Sequence, residues 1–240
     1  MYIDIHSHII PGVDDGARDE AMSLKMLRIA HDCGTRHIIA TPHYFYGNTR
    51  YVFADIIEKC ACLNDLAANA GIDMTIHPGC EVFITLELAE MYEQGSIGTL
   101  AGSSCMLVEF PMMSIPPYID NVLYDLQLKG ITPIIAHPEC NAEIQQNPGL
   151  MESYIERGIL SQVNSGSITG IFGMKARRTV MRIIKEGWVH FVASDAHSDT
   201  SRDPDLKNAA AIIEKKFGSK MREDLFAKNA LKYLAISSGS

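Results

Sequence analysis

Tyr2-Ile3-Asp4-Ile5-His6-Ser7-His8 is a short apolar, β-rich run that ends in two histidines. Side chains alternate along a strand, so His6 and His8 point the same way and can bind one ion as a pair. Six further runs of this kind follow: His37 to Thr41, Asp73 to His77, Met106 to Phe110, Thr132 to Ala136, Leu160 to Asn164 and His190 to Ala193. Helical periodicity fills the intervals. In Asp19 to Cys33, Met22, Met26, Ile29, Ala30 and Cys33 share a face and Gly34 supplies the stop. Further helices are predicted near Tyr51 to Ala70, Pro117 to Lys129, Pro148 to Arg157, Lys175 to Glu186, Leu206 to Phe217 and Met221 to Ile236. Strand and helix alternate throughout, which implies parallel strands joined by right-handed crossovers. Seven such units favour an α/β, TIM-like barrel over an open sheet. No Gly-x-Gly-x-x-Gly follows the first strand, which counts against dinucleotide binding.

Composition bounds the function. At 240 residues, with 47% hydrophobic and 21% charged residues and no abrupt shift that would mark a linker, residues 1–240 read as a single globular domain. A net charge of −8 disfavours a nucleic-acid partner, because phosphate backbones are bound through concentrated Lys and Arg. No apolar run approaches the roughly 20 residues of a membrane span. The chain enters its first strand without a charged leader, so no membrane insertion and a cytoplasmic location are expected. The six cysteines fall in different predicted elements and read as reduced thiols. None is followed six residues later by arginine, so a cysteine phosphatase loop is absent. Ser237-Ser238-Gly239-Ser240 reads as a loose tail.

The strand exits carry the chemistry, since parallel α/β barrels build their sites at that end. After His6-Ser7-His8 comes the turn Asp14-Asp15-Gly16. The second strand runs into Thr41-Pro42-His43, the third into Pro78-Gly79-Cys80-Glu81, and the fourth carries Glu109. The fifth ends in Ala136-His137-Pro138-Glu139, the sixth in Val163-Asn164-Ser165-Gly166, and the seventh in Ala193-Ser194-Asp195-Ala196-His197. Five histidines (His6, His8, His43, His137, His197) and four carboxylates (Asp15, Glu81, Glu109, Asp195) at one face would form a costly desolvated cluster unless cations neutralised them. Nine ligands exceed what one ion takes from protein, so two or three divalent ions are implied; imidazole and carboxylate without thiolate suit Mn, Fe, Zn or Mg. Such a cluster suits phosphoester hydrolysis. His31 lies on a helix, His37 and His190 at strand starts and His77 inside or just at the end of the third strand, and all four read as structural. One of Asp14 and Asp15 is expected to brace its turn, and a metal role for Glu139 is equally unsupported.

At these residues the chain resembles the polymerase and histidinol phosphatase superfamily, whose hallmark is His-x-His after the first strand. Asp4-Ile5-His6-Ser7-His8-Ile9-Ile10-Pro11-Gly12-Val13-Asp14-Asp15-Gly16 is similar to the N-terminal signature of its bacterial manganese-dependent protein tyrosine phosphatases of the CpsB/YwqE type. Ala136-His137-Pro138-Glu139, Gln162-Val163-Asn164-Ser165 and Ala193-Ser194-Asp195-Ala196-His197 extend the resemblance along nearly the whole chain. It implies a distorted (β/α)7 barrel and three ions, manganese first among the metals. One would sit between His6, His8, Glu81 and Asp195, a second between Glu81, Glu109 and His137, and a third on Asp15, His43 and His197. It also implies a metal-bridging hydroxide that attacks phosphorus while arginines hold the phosphate, with Arg202, Asp195 and His197 in the catalytic group. The implied substrate is a phosphotyrosine-bearing protein, the tail of a bacterial tyrosine kinase of capsule or exopolysaccharide synthesis.

One position departs from that pattern: Cys140 stands where the family continues His-Pro-Glu with arginine. A thiol cannot replace a bidentate guanidinium, so Arg18, Arg50 or Arg178 would have to reach in. Tyr44-Phe45-Tyr46 beside His43 fits either a rim that stacks on a phosphotyrosine ring or a loop packed on the barrel. The alternatives are a small-metabolite phosphatase such as a histidinol-phosphate phosphatase, a nuclease, and a metal-binding protein without turnover.

Overall fold

A computed structural model describes residues 1–237; most of the predicted tail, residues 238–240, lies outside them. Its strands are β1 (Tyr2–Ser7), β2 (Thr35–Ala40), β3 (His43–Tyr44), β4 (Thr75–Pro78), β5 (Glu81–Phe83), β6 (Cys105–Glu109), β7 (Thr132–Ala136), β8 (Leu160–Asn164) and β9 (Phe191–Ala193). All pairing is parallel, in the orders β1-β2-β4 and β3-β5-β6-β7-β8-β9. The seven expected strands are present, two of them in two pieces. β2 stops before Pro42, which has no N–H to continue a ladder, and the chain resumes as β3. β4 stops at Gly79-Cys80 and resumes as β5. Gly79 packs too tightly for a side chain there, since a Cβ would lie 2.8 Å from both Ile39 and Leu100.

The two ladders are joined into a distorted (β/α)7 barrel. At one seam Ser7 bridges Ala196 in parallel, with Asp195 N donating to His6 O and His8 N to Ala196 O, both at 2.9 Å. On the other side the chain itself joins them, β2 running on into β3 and β4 into β5, and at these junctions Thr41 N donates to Ser7 O (2.9 Å) and Glu81 N to Pro42 O (3.1 Å). One apolar cluster draws Ile3 and Ile5 from β1, Ile39 from β2, Leu107 from β6, Ile134 from β7, Leu160 from β8 and Phe191 from β9. Side chains from strands spread around a sheet meet in this way only in a barrel interior, below the face where the strands exit. Two larger clusters seat the helices on the outside.

The helices are α1 (Glu20–Asp32), α2 (Phe53–Asn69), α3 (Leu88–Glu93), α4 (Ile119–Leu128), α5 (Ala142–Gln146), α6 (Leu150–Glu156), α7 (Ser165–Thr169), α8 (Gly173–Lys185), α9 (Lys207–Phe217), α10 (Ser219–Glu223) and α11 (Asn229–Tyr233). Asp19 caps α1 by accepting from Met22 N (2.8 Å), and Gly34 follows its end at φ +102°. The single last helix expected over Met221 to Ile236 is corrected to α10, a π-helical turn over Asp224–Lys228, and α11. The wide turn shifts the register so that consecutive residues, Leu225 and Phe226, are both buried, with the Phe226 ring 5.7 Å from that of Tyr2. Among the described residues no helix is long and apolar enough to cross a membrane.

Candidate metal centre

The strand interruptions aim the donors. β3 begins at His43 and β5 at Glu81, so each break in the sheet delivers one side chain to the barrel mouth. β1 changes register between Asp4 and Ser7, and His6 within that shift and His8 just beyond it are both fully buried. The turn after β1 folds back tightly on the strand exit: a Cβ at Gly16 would stand 2.1 Å from His8 O, so only glycine fits. Two donors sit on left-handed backbone, His137 at φ +32° and Asp195 at φ +52°. Such strain persists where surrounding structure imposes it, and it concentrates at functional sites.

Four of the nine donor atoms form a compact group. His6 Nε2 lies 3.2 Å from His8 Nε2, 3.2 Å from Glu81 Oε2 and 3.5 Å from Asp195 Oδ1. His8 Nε2 lies 3.3 Å from the same Glu81 oxygen and 3.4 Å from the same Asp195 oxygen. Each of these distances is one that two ligand atoms of a common ion keep when both stand roughly 2 Å from it, the bond length of a first-row metal to nitrogen or oxygen. His43 faces two ways. Its Nδ1 approaches Glu81 Oε2 (2.9 Å) and Glu109 Oε2 (3.8 Å), and its Nε2 approaches Asp15 Oδ1 (3.6 Å). His197 Nε2 is 3.4 Å from that Asp15 oxygen, and His137 Nε2 is 2.8 Å from Glu81 Oε1 and 3.9 Å from Glu109 Oε1. Three groupings can each hold an ion: His6, His8 and Glu81; His43, Glu81 and Glu109; and His8, Asp15, His43 and His197. The implied second group differs, because His43 rather than His137 completes the compact set with Glu81 and Glu109. His137 stands against the other oxygen of Glu81.

The donor set fits divalent cations. Gln162 Oε1 lies 2.9 Å from His6 Nδ1 and can only accept, so that nitrogen carries the proton and the lone pair of Nε2 faces His8. His8 Nδ1 lies 2.6 Å from Asp14 Oδ2, which turns its own Nε2 inward. His43 Nδ1 and Glu81 Oε2, although close, satisfy no hydrogen bond between them or with any other group. They face a common space. Without cations only protons can hold such a cluster together. Burial opposes charge on His8, His43 and His137, yet Asp14 for His8 and Glu81 for His43 and His137 raise all three, His137 to about 10. Burial likewise works against ionised Glu81, yet His6, His137 and His43 hold it well below the usual carboxylate range. Burial, and then Glu81 itself, raise Glu109. A metal would displace those protons.

Several partners carried no signal as ligands in the sequence. Gln162 Nε2 donates to Asn164 Oδ1 (2.8 Å), and Asn164 Nδ2 donates to Asp195 Oδ2 (2.7 Å). An unbroken relay thus runs from His6 to Asp195 through two buried amides on β8. The available cue was a pair of amides, Gln162 and Asn164, at alternate positions of one short strand. Asp4 is a second such partner: it accepts from Ser194 N (2.9 Å) and Ser194 Oγ (2.5 Å), tying β1 to the segment before Asp195, and burial raises its carboxyl to about 6. Asp14 braces its turn, accepting from His43 N and Gly16 N at 3.0 Å, while Asp15 faces His43 and His197. Glu139 is fully buried and accepts from Asn164 N (2.8 Å), away from the donor groups.

Arg202 reaches the centre, its Nη2 lying 2.8 Å from Asp195 Oδ2, and its Nε–H has no protein partner. Cys140 is half-buried, with Sγ 4.0 Å from Ser167 Oγ, and burial pushes its thiol up. Of the three alternative arginines, Arg50 lines a cleft of about 660 Å³ shared with Asp15, His43, Phe45 and Lys59. Arg178 lies on α8, outside that cleft, and Arg18 is exposed beyond Gly16. Tyr44 is buried, whereas Phe45 and Tyr46 are exposed and the Phe45 ring is 5.3 Å from that of His43. His37 and His77 pair with each other at 3.2 Å, His190 accepts from Ser161 N, and His31 lies beside Asp32, all outside the donor groups.

The model of the capsular polysaccharide synthesis family CpsB/CapC matches residues 2–235. The chain belongs to that family. Tyrosine-protein phosphatase YwqE of Bacillus subtilis (strain 168) is 41% identical over 219 residues, covering 91% of this chain and 86% of the relative. Tyrosine-protein phosphatase CpsB of Streptococcus pneumoniae is 33% identical over 237 residues, 97% of this chain and 98% of the relative. Crystal structures of YwqE and CpsB, described as unique metal-dependent tyrosine phosphatases, include one that superposes with a TM-score of 0.92 at 39% identity, covering 98% of this chain and 96% of that one. A lactonase from Listeria monocytogenes, at a TM-score of 0.58 and 14% identity, shares the fold alone.

Proposed function

We propose that the chain is a metal-dependent protein-tyrosine phosphatase. The observation that carries this reading is the buried donor set at the mouth of the barrel, in which the ring nitrogens of His6 and His8 lie 3.2 Å apart and each lies 3.2–3.5 Å from one oxygen of Glu81 and one of Asp195. We assign one ion to that set, a second to Glu81 and Glu109 with His43 and His137, and a third to Asp15, His43 and His197 with His8, and we take manganese as the native metal. When bound, such ions lower the pKa of coordinated water and offset charge on the phosphoryl oxygens.

The rest falls to the chain's own side chains. Arg202 holds a phosphate oxygen through its free N–H while its other end stays locked on Asp195. Phe45, exposed above His43, stacks on the tyrosyl ring, and Arg50 offers the guanidinium that Cys140 does not. Water oxygen replaces the aryl oxygen on phosphorus, and tyrosine and inorganic phosphate leave. By its family, the substrate is a phosphotyrosine-bearing protein of capsule or exopolysaccharide synthesis; we assign it to the tail of a cytoplasmic tyrosine kinase domain.

Metal analysis and kinetics on one preparation test this. Three manganese ions per chain, turnover of phosphotyrosyl peptides well above that of histidinol phosphate, and loss of turnover in His137→Ala are expected. Faster cleavage of histidinol phosphate would instead make it a metabolite phosphatase.

A further inference from the structure

A second set of cations lies on the outer layer of the barrel. α8 carries Lys175, Arg177, Arg178, Arg182 and Lys185 and no acidic residue, in a chain whose net charge is −8. Its inner face, with Ala176, Thr179, Val180, Ile183 and Ile184, is buried. On the opposite face Met174, Arg178, Met181 and Lys185 follow one another at i, i+4, i+7 and i+11, a single line along the helix. Where α8 meets α9, Met174, Met181 and Ile212 line a cleft of about 380 Å³ together with Arg177, Arg178 and Lys216. Among the described residues, ion pairs engage other cations, and none of these three has a carboxylate partner. The nearby Glu214 is engaged with Arg222 at 3.5 Å.

Cations without counter-ions around an apolar floor describe a ligand with two ends. Methionine sulfur and isoleucine pack an aromatic ring, and guanidinium groups hold a phosphate bidentately. The helix that carries the cleft begins beside Arg202. Phe172 directly precedes α8, and its ring lies 5.7 Å from the Arg202 guanidinium carbon. Arg178 follows six residues later, about 9 Å along the helix axis. An extended peptide covers about 3.3 Å per residue, so roughly three to six residues span the two places.

We propose that this cleft is a second docking site, which takes another phosphotyrosine of the same peptide whose first phosphotyrosine occupies the metal centre. The proposal rests on the phosphatase reading and adds to it a preference for multiply phosphorylated substrates. A concavity between two helices suits an inserted side chain better than a planar lipid surface does. The expected benefit is a lower KM, because the second contact raises the effective concentration of the scissile group without touching the chemistry.

The test is a triple variant, Arg177→Ser/Arg178→Ser/Lys216→Ser, assayed with p-nitrophenyl phosphate, a singly phosphorylated peptide and the same peptide with a second phosphotyrosine four residues away. Unchanged kcat/KM on p-nitrophenyl phosphate and on the single phosphopeptide is expected, with about a tenfold rise in KM for the double one. Equal KM values for wild type and variant on the double phosphopeptide overturn the site. Binding of wild type to phosphatidylserine vesicles that is lost in the variant, with peptide KM unchanged, would instead assign the face to a lipid surface. The single variant Arg178→Glu repeats the comparison should the triple one fail to fold. No turnover of p-nitrophenyl phosphate by manganese-loaded wild type would sink the phosphatase reading and this one with it, whereas turnover with equal KM values sinks only the docking site.

Discussion

Gln162 lies between two predicted ligands without being one. Its amide oxygen fixes the tautomer of His6, and its amide nitrogen passes the constraint through Asn164 to Asp195. Partners of this kind orient ligands and typically matter 10- to 100-fold for metal affinity. Gln162→Ala is expected to weaken metal binding by about that factor in a chelator competition, with a smaller loss of kcat at saturating manganese. An unchanged metal affinity would show that the relay does not orient His6. The candidate donors were legible at this scale because each is a charged or imidazole side chain at a strand exit. The relay was not: an amide on a strand reveals its partners only once β8 is placed against β1 and β9.

At the scale of elements, the interruptions of the second and third strands do the aiming. Pro42 and Gly79 end one pairing and start another, and His43 and Glu81 are the first residues after each break. The sequence showed both breakers and ended each strand before them, at Thr41 and His77, but did not reveal that pairing resumes, since strands of two or three residues have too few positions to display a period. The short turn Pro138–Cys140 after β7 is the other element that bears on function. With Cys140 at its end, phosphate lacks the arginine of the family pattern. Cys140→Arg is expected to lower the KM for p-nitrophenyl phosphate by about three- to tenfold with kcat nearly unchanged, the scale of one charge-assisted hydrogen bond. A KM that stays the same or rises would show that this turn cannot bring a guanidinium to the phosphate.

The whole molecule has a pH dependence separate from its metals. Burial, with Lys232 adding to it, pushes His190 down to about 4, and burial and His37 do the same to His77. His190 Nδ1 accepts from Ser161 N, a bond that protonation breaks. Above an unfolded value near 6.5 both histidines are neutral in either state and cost nothing. As pH falls from about 6.5 to about 4, the unfolded chain takes up protons that the folded one refuses, so stability is lost across that window and little more below it. For His190 the loss is on the order of 3 kcal/mol, or roughly 5–10 °C in Tm for a chain of this size. In metal-stripped protein, His190→Gln is expected to shrink the fall in Tm between pH 6.5 and 4 relative to wild type. Parallel curves for the two proteins would remove His190 as the cause.

What the sequence by itself determined is the alternation of strand and helix, the parallel order that follows from it, and the residue types at the strand exits. Each of these is local, set by periodicity, capping and turn chemistry within a few residues. Only the tertiary structure decided which donors share a space: that His43 faces both Glu81 and Asp15, that Asp14 supports His8 while Asp15 stands at the rim against His43 and His197, and that Arg178 belongs to an outer cleft instead of the metal centre. Metal coordination is a condition on distances of 3–4 Å between atoms that stand up to about 190 residues apart in the chain. Closure of the barrel sets those distances, and no stretch of sequence contains them.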